Sequence, residues 1–276
     1  MISVIIVNHN GRHLLRRCLE SLRASTAEVE VLLVDNASSD DSLALVRERF
    51  PGVRVLEQAR NLGFGAANNI AAAAARGEAL LLLNADAWLE EGALDFLAAR
   101  LAGHPRNGLA APRLLYPDGR RQFAWSPERG AFGEALQQLR NRHESSAWAH
   151  GPIARLLARL AGRPWYTAAC VLLRAEAFRE VGGFDERFFM YFEDVDLCVR
   201  LEAAGWRLVQ EPRAVARHEG GFARHPKVDD LYRPSQLRYY AAHRPEWERK
   251  LVEWRLRRRY GDREVERWLA AGGASP

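Results

Sequence analysis

Strand-like apolar runs in the first third of the chain end on amide or carboxylate side chains, which are groups that bind nucleotides and metals. These polar residues are Asn8, Asp35, Asn84 and Asp86. A carboxylate at such a position can bond a nucleobase or ribose, or coordinate a divalent cation that bridges a diphosphate. Because an aspartate after a strand is also a common turn or cap residue, each position alone leaves both roles open.

A second group of acids lies among aromatic residues between Gly182 and Asp196. Aromatic neighbours place carboxylates in a partly dry setting, where a raised pKa makes a general-base role available. Glu193 and Asp194 also fit the first turn of a helix, where acidic residues are favoured for electrostatic reasons alone. Five acids beside so many aromatic rings favour a functional interpretation.

Two further features are ambiguous on their own. His218 follows a short strand-like run and is a natural further ligand for a metal held by Asp86, although a lone histidine is more often structural. The loop from Asn61 to Asn69 contains Gly63 and Gly65, which allow a close approach to an anionic ligand at a helix start. The loop matches neither the Rossmann pattern nor the P-loop and is equally compatible with an ordinary tight turn.

The elements around these residues alternate between strand and helix over the first hundred residues. This alternation predicts an α/β fold with a parallel sheet, whose ligands bind beyond the carboxyl ends of the strands. We predict a domain over residues 1–220, with a nucleotide-binding half at 1–115 and an acceptor and catalytic half at 116–220. Within the second half, the Arg- and Trp-rich stretch near 120–164 is predicted to face the acceptor. Residues 221–276 form a basic, helical extension.

Composition indicates a folded protein, with 48% hydrophobic and 27% charged residues and a formal net charge of +5. The three cysteines, Cys18, Cys170 and Cys198, lie in apolar stretches and are predicted to be reduced core residues. With no visible leader or membrane-spanning run, we expect a cytoplasmic protein. Nucleic-acid binding is not expected, because no reader module is recognisable and the acid cluster would repel phosphates.

Four blocks of this sequence resemble those of glycosyltransferase family 2, particularly its rhamnosyltransferase-like bacterial members. They are Val4 to Gly11, Val34 to Asp40, Asn61 to Asn69 together with Leu83 to Asp86, and Gly182 to Leu197. The resemblance implies a GT-A-type nucleotide-diphospho-sugar transferase fold. Two positions depart from the family pattern, namely Ala85, where proline is usual, and Ala168-Ala169, where glycine is common.

The resemblance also implies roles for single residues. Asp194 falls at the general base, beside Glu193, while Asp86 and His218 fall at metal-binding positions. The residues implied on the nucleotide side are Asn8, Asn10, Asp35, Asn61, Gly63, Asn69 and Asn84, the last in place of the first acid of the metal motif.

The function that follows is inverting transfer of a sugar from a nucleotide diphosphate, with Mg²⁺ or Mn²⁺ as cofactor. The first expected donor is dTDP-rhamnose and the second a UDP-hexose, and the acceptor is a glycan or lipid-linked molecule of the cell envelope. The alternatives are a catalytically silent sugar-nucleotide-binding or scaffold domain, and a sugar nucleotidyltransferase, although Asn8 to Arg12 fits the phosphate loop of the latter poorly.

Two questions about partners stay open at this stage. The basic tail carries Trp247, Trp254 and a run of arginines at 255–259. It can rest on anionic lipid at the inner face of the plasma membrane, or pack its tryptophan face on the domain. The sequence does not fix the oligomeric state, for which a homodimer is considered.

Overall fold

The computed structural model of the protein contains a central sheet of nine strands. The structure describes residues 1–127, 129–143, 151–160, 164–220 and 228–273 of the 276-residue chain. The strands of the large sheet are β1 (Ile2–Asn8), β2 (Val29–Asp35), β3 (Arg54–Glu57), β4 (Ala79–Leu83), β5 (Ala87–Leu89), β6 (Asn107–Leu115), β7 (Arg121–Gln122), β10 (Cys170–Arg174) and β11 (Arg207–His218). A separate ribbon pairs β8 (Trp125–Ser126) with β9 (Trp165–Tyr166).

Helices cover the sheet and form the C-terminal region. They are α1 (Arg12–Ser21), α2 (Ser42–Arg49), α3 (Phe64–Ala74), α4 (Ala93–Ala102), α5 (Ala131–Arg142), α6 (Pro152–Leu160), α7 (Ala175–Glu180), α8 (Glu193–Ala203), α9 (Val228–His243), α10 (Glu246–Tyr260) and α11 (Asp262–Gly273). None of the helices in the described ranges is both long enough and apolar enough to cross a membrane.

The strand order is β3-β2-β1-β4-β10-β6-β11-β5, with β7 added to β6. Strands β1 to β4 pair in parallel, as the alternation of strand and helix predicts, and β6 pairs in parallel with β11. Only β5, β7 and β10 run in the opposite direction. The carboxyl ends of β1, β2, β4, β6 and β11 therefore meet at one edge of the sheet.

Apolar side chains on both faces of the sheet explain why the central strands are apolar throughout. Val4 and Ile6 belong to the core beneath α1 and α4, whereas Ile5, between them, belongs to the core on the opposite face. All three cysteines are buried and free, which confirms that part of the sequence prediction.

Two strand boundaries differ from what the sequence predicts. The apolar run from Tyr166 to Leu173 predicts one continuous strand, which is wrong, because β9 belongs to the ribbon, β10 belongs to the large sheet, and the residues between them line a cavity. The sequence also predicts two short strands, from Trp206 to Gln210 and from Ala214 to Ala216, which is wrong because β11 runs unbroken along β6. Its register shifts between Glu211 and Val215, next to Pro212, which has no N–H to offer the ladder.

The C-terminal helices pack on the segment that precedes α8. Their shared core contains Phe188, Phe192, Val195, Leu237, Tyr239, Tyr240, Val252, Leu256, Val265 and Trp268. Asp196 at the start of α8 adds polar contacts, since its carboxylate binds Arg200 at 2.6 Å and His243 of α9 at 2.7 Å. The helical C-terminal region predicted from the sequence is confirmed. It packs against the acid-rich segment through this apolar core and through the Asp196–His243 contact.

Candidate active site

A cavity of about 740 Å³ opens at the carboxyl ends of β4, β6 and β11. That volume is within the range of small-molecule sites. The predicted site residues among those that line the cavity are Asn84, Asp86, Glu193, Asp194 and His218. The fold thus brings together side chains that lie more than one hundred residues apart in the sequence.

Asp86 and His218 form the polar pair at the sheet side of the cavity. His218 ends β11 and lies opposite Ala87 on β5, so the sheet itself holds the two side chains together. His218 Nε2 is 3.3 Å from Asp86 Oδ1, and His218 Nδ1 is 3.1 Å from Gln122 Oε1. Burial alone would raise the pKa of Asp86, but the hydrogen bond and charge of His218 hold it below its usual value.

The donor atoms of this pair suit a divalent cation. If a cation takes the place of the Nε2 proton, Nδ1–H of His218 still donates to Gln122 and the Nε2 lone pair is available beside the Asp86 carboxylate, which is the arrangement that metal-binding histidines need. Asn84 Oδ1 is buried and has no hydrogen-bond partner within the described residues. No group of three or more His, Cys, Asp or Glu side chains in the described ranges is arranged to hold a metal ion, so a bound cation would need further ligands from a substrate.

Asp194 reaches the same cavity from the first turn of α8. Tyr191 and Phe192, directly before the helix, both have a φ of 68°, an uncommon value for residues with a side chain. Backbone N–H groups hold the carboxylate, with Val195 donating to Oδ1 at 2.8 Å and Ala168 to Oδ2 at 3.3 Å. Burial nevertheless raises the pKa of Asp194 to about 6, which suits a general base near neutral pH.

Glu193 differs from its neighbour in environment. Its side chain is buried, and its Oε2 has no hydrogen-bond partner in the part of the chain that the structure describes. Burial and the nearby charge of Asp194 raise the pKa of Glu193 well above its usual value. Glu193 is thus the more strongly protonated member of the pair.

The other acids of the same motif have protein partners. Asp185 pairs with Arg187 at 2.6 Å, Glu186 accepts a hydrogen bond from Asn69 at 3.0 Å, and Asp196 binds α9 as described above. The structure therefore divides the acid cluster into structural members and the two carboxyl groups that line the cavity.

Asn8 and Asp35 form a buried pair at the ends of β1 and β2, where they lie opposite each other. Asn8 Nδ2 donates to Asp35 Oδ1 at 3.2 Å and to Ser38 Oγ at 3.0 Å. Neither residue lines the cavity, but a Cβ at Gly11 in the loop after β1 would lie 3.7 Å from Ala85 Cβ. This loop consequently connects the buried pair to the Asn84-Ala85-Asp86 turn.

The remaining nucleotide-side residues lie in neighbouring loops. Asn10 Oδ1 accepts hydrogen bonds from the backbone N–H groups of Ser39 and Asp40 at 2.7 and 3.2 Å. Asn61 Oδ1 accepts a hydrogen bond from Asn36 Nδ2 at 2.8 Å and another from the backbone N–H of Gly63 at 2.9 Å. These contacts fix the loops after β1, β2 and β3 against one another.

Asn69 is placed differently from what the sequence suggests. Its Nδ2 donates to the Phe184 carbonyl at 2.9 Å, and its Oδ1 accepts from the Phe184 N–H at 2.9 Å. It does not line the cavity, so its contribution to nucleotide binding stays a prediction without support from proximity. Its observed contacts join α3 to the loop before α8.

Several cavity residues were missed by sequence reasoning. They are Gln122, Arg129, Trp165 and Tyr232. Each lies in a stretch without clear periodicity or in the basic tail, and only the unusual Arg and Trp content near 120–164 indicated that this part faces a ligand.

The fold and the cavity define a GT-A-type glycosyltransferase, with a metal-suited pair and a candidate base in one cavity. Residues 3–182 match the sequence profile of glycosyl transferase family 2. The chain belongs to this family.

Comparison with curated relatives extends this result. The chain is 33% identical to the N-acetylglucosaminyl-diphospho-decaprenol L-rhamnosyltransferase of Mycobacterium tuberculosis, over 93% of this chain and 89% of that protein. It is 27% identical to rhamnosyltransferase WbbL of Escherichia coli, over 79% of this chain and 83% of the relative. The protein is therefore a rhamnosyltransferase-like member of the family, as the sequence blocks predict.

A solved structure supports the fold. The mannosyltransferase of Pyrobaculum calidifontis, in complex with GDP-Man and Mn²⁺, matches with a TM-score of 0.60 at 18% identity. The match covers 98% of this chain and 73% of that chain. The GT-A fold class predicted from the sequence is confirmed.

Proposed function

We propose that the protein transfers a rhamnosyl residue from dTDP-rhamnose to an N-acetylglucosaminyl diphosphate lipid, with inversion at the anomeric carbon. The single observation that carries the chemistry is that Asp194 and the Asp86–His218 pair line the same cavity. The acceptor and donor classes are supported by the names of the mycobacterial and Escherichia coli relatives. A UDP-hexose remains the second donor to be tested.

Asp194 is proposed as the general base. Its pKa of about 6 leaves it ionised at neutral pH but basic enough to take the proton from an attacking hydroxyl. The two backbone N–H donors from Val195 and Ala168 fix the direction of the carboxylate. The buried Glu193 is proposed to assist as a neutral neighbour that keeps this side of the cavity dry.

Asp86 and His218 are proposed to hold Mg²⁺ or Mn²⁺, with Asn84 as a further oxygen donor. Such a cation, when bound, neutralises negative charge that develops on the departing nucleoside diphosphate. Support comes from the orientation of His218 by Gln122 and from the buried, unpartnered Asn84 Oδ1. Mn²⁺ is also present in the structure of the Pyrobaculum mannosyltransferase.

The nucleotide is proposed to bind along the loops that follow β1, β2 and β3. Asn8, Asp35 and Asn61 would act there chiefly by fixing loop shape, because their side chains already bond to the protein. The close approach of Gly11 to Ala85 connects these loops to the metal side of the cavity.

The test is an assay of the purified protein with dTDP-rhamnose or UDP-hexoses, a synthetic prenyl-diphosphate N-acetylglucosamine, and Mg²⁺ or Mn²⁺. We expect a rhamnosylated product that is abolished by chelation, with an anomeric configuration opposite to that of the donor. Nucleotide-sugar binding without product would support the silent domain. Release of diphosphate from a nucleoside triphosphate and a sugar phosphate would support a nucleotidyltransferase.

Peripheral membrane contact through the tail is a second part of the proposal, placing the enzyme at the inner face of the plasma membrane. Val252 and Leu256 of α10 pack on the protein, whereas Trp247 and Trp254 are 59% and 52% exposed. Arg258 lies over the Trp254 ring at 5.0 Å, so aromatic and basic groups share the exposed face. Replacing both tryptophans by serine tests the contact without removing the packed side chains, since equal vesicle binding would rule it out.

A further inference from the structure

Arg129 is a cation in the cavity wall for which the mechanism above has no use. Its guanidinium lies 5.0 Å from the Trp165 ring centre and 5.3 Å from that of Phe192. Its Nε is buried without a hydrogen-bond partner, and none of the described residues forms an ion pair with it. A bound anion would supply the hydrogen-bond acceptor that this buried Nε lacks.

The position of Arg129 identifies the side of the cavity on which this anion would lie. Burial works against the charge of Arg129, but the attraction of Tyr232, Glu134 and Asp194 outweighs it and raises the pKa of the guanidinium. The pKa of Asp86, in contrast, is lowered by His218 at the end of β11. Arg129 therefore lies on the side of the candidate base, which must contact the acceptor hydroxyl rather than the nucleotide.

We propose that Arg129 binds the diphosphate group of the acceptor lipid, within a wall formed by Trp165, Phe192 and Tyr232. The proposal rests on the proposed function for the identity of the acceptor, but not for the presence of an anion site. Guanidinium groups suit diphosphates, because their N–H groups match pairs of phosphate oxygens.

The test measures binding of geranyl diphosphate, without donor or metal, by titration calorimetry. We expect Arg129→Gln to weaken binding by about 10- to 100-fold, with Arg129→Lys intermediate. Arg120→Gln is the matched control and should bind as the wild type does, because Arg120 also lines the cavity but pairs with Asp118 at 2.7 Å. Circular dichroism establishes that each variant is folded.

Three results would overturn the proposal. Geranyl diphosphate could fail to bind the wild-type protein, could bind Arg129→Gln equally well, or could lose affinity in Arg120→Gln instead, which would place the anion at another part of the cavity. None of these readouts depends on turnover. Absence of rhamnosyl transfer in the assay above would thus count against the proposed function alone.

A separate observation concerns α6, which lies between Arg129 and Trp165 in the chain. Ile153, Leu156 and Leu160 recur at helical spacing and are 62%, 60% and 73% exposed. Phe132 and Leu139 on the contacting helix α5 are exposed as well. An exposed aliphatic surface of this kind marks an interaction site.

The charge around this surface identifies its occupant. From residue 152 to residue 163 the sequence contains three arginines, Arg155, Arg159 and Arg163, and no acidic residue. Aliphatic residues on one helix face with arginines near them are typical of helices that lie in the interface of anionic membranes. Arg129 and Trp165, which flank this segment in the sequence, both line the cavity.

We infer that the exposed face of α6 rests on an anionic lipid bilayer, in addition to any contact made by α10. The test is flotation with phosphatidylcholine vesicles that contain or lack phosphatidylglycerol. Changing Ile153, Leu156 and Leu160 together to serine should abolish most of the binding to anionic vesicles. Because these side chains are exposed, the variant should keep the wild-type melting temperature.

Exchanging Trp247 and Trp254 for serine in the same assay separates the two surfaces, since a change on α10 leaves the α6 contact in place. The inference fails if the α6 variant floats as the wild type does, or if the wild type ignores anionic vesicles. It also fails if the α6 variant converts a dimer to a monomer without loss of vesicle binding, because a second copy of the chain would then cover this face.

Discussion

The carboxylate of Asp194 accepts a hydrogen bond from the backbone N–H of Ala168, at 3.3 Å from nitrogen to Oδ2. Ala168 belongs to the segment that joins β9 of the ribbon to β10 of the large sheet and lines the cavity. Because this segment is not part of a strand, the N–H of Ala168 is free to bond the carboxylate of Asp194, in addition to the N–H of Val195.

The first prediction concerns the base itself. Asp194→Asn keeps the size of the side chain but removes the proton acceptor, so turnover should fall about 10²- to 10⁴-fold. The matched control is Asp185→Asn in the same motif, whose carboxylate bonds Arg187 instead of lining the cavity. Steady-state assays of both variants should show a large loss only in the first, whereas equal losses would point to a structural effect.

The second prediction is a pH dependence. The pKa of Asp194 is about 6, so the active, ionised form is lost as the pH falls through that value. The kcat/KM should decrease about tenfold per pH unit below about 6 and level off above about 7. Glu193→Gln should keep the same acid limb, since it leaves Asp194 in place and removes only a carboxyl group whose pKa is raised by burial. Loss of the limb in this variant would identify Glu193 as the base.

The third prediction follows from the same pKa by linkage. A carboxyl group whose pKa is higher in the folded protein destabilises the fold increasingly as the pH rises from the ordinary value of 3.8 to the folded value of about 6, because the unfolded chain ionises more easily, and the penalty is complete above that pH. Asp194→Asn should therefore stabilise the protein by about 3 kcal/mol at pH 8. At pH 4 the gain should disappear. Urea unfolding at both pH values measures the difference, and a loss of stability at pH 8 would contradict the assigned environment.

Much of this site follows from the sequence, and the exceptions have physical causes. Asp35 and Asp86 come directly after continuous apolar runs, so the parallel pairing of β1, β2 and β4 places them on one edge of the sheet. Arg129 belongs to a stretch without periodicity, and only the tertiary fold reveals that it faces the cavity. Asn69 lies in a family-like block, but its amide joins α3 to Phe184, a contact that local sequence does not indicate.

The fourth prediction concerns the metal pair. Gln122→Met removes the acceptor of His218 Nδ1–H and should weaken Mn²⁺ binding in the presence of dTDP by about 10- to 100-fold. His218→Ala should weaken it further. Titration followed by electron paramagnetic resonance of free Mn²⁺ reads the affinity without turnover. Wild-type affinity in both variants would exclude His218 as a ligand.

The fifth prediction concerns the backbone shape of the loop that contains Gly63. Gly63 has a φ of 85°, and a Cβ there would lie 2.2 Å from the Phe189 carbonyl oxygen. Gly63→Ala should lower the free energy of unfolding by about 1–3 kcal/mol. Gly52→Ala is the control, because a Cβ at Gly52 meets nothing within 4 Å. Equal stability of the two variants would show that the loop does not need glycine at position 63.

The central claim is that Asp86 and His218, through the cation, and Asp194, as the base, serve one transfer reaction in one cavity. The most direct measurement is a crystal structure of the protein with dTDP and Mn²⁺, in which anomalous scattering locates the metal. We expect the Mn²⁺ peak within ligand distance of Asp86 and His218, with the diphosphate between that pair and Asp194. A metal peak away from both ligands, or a nucleotide outside the cavity, would contradict the account.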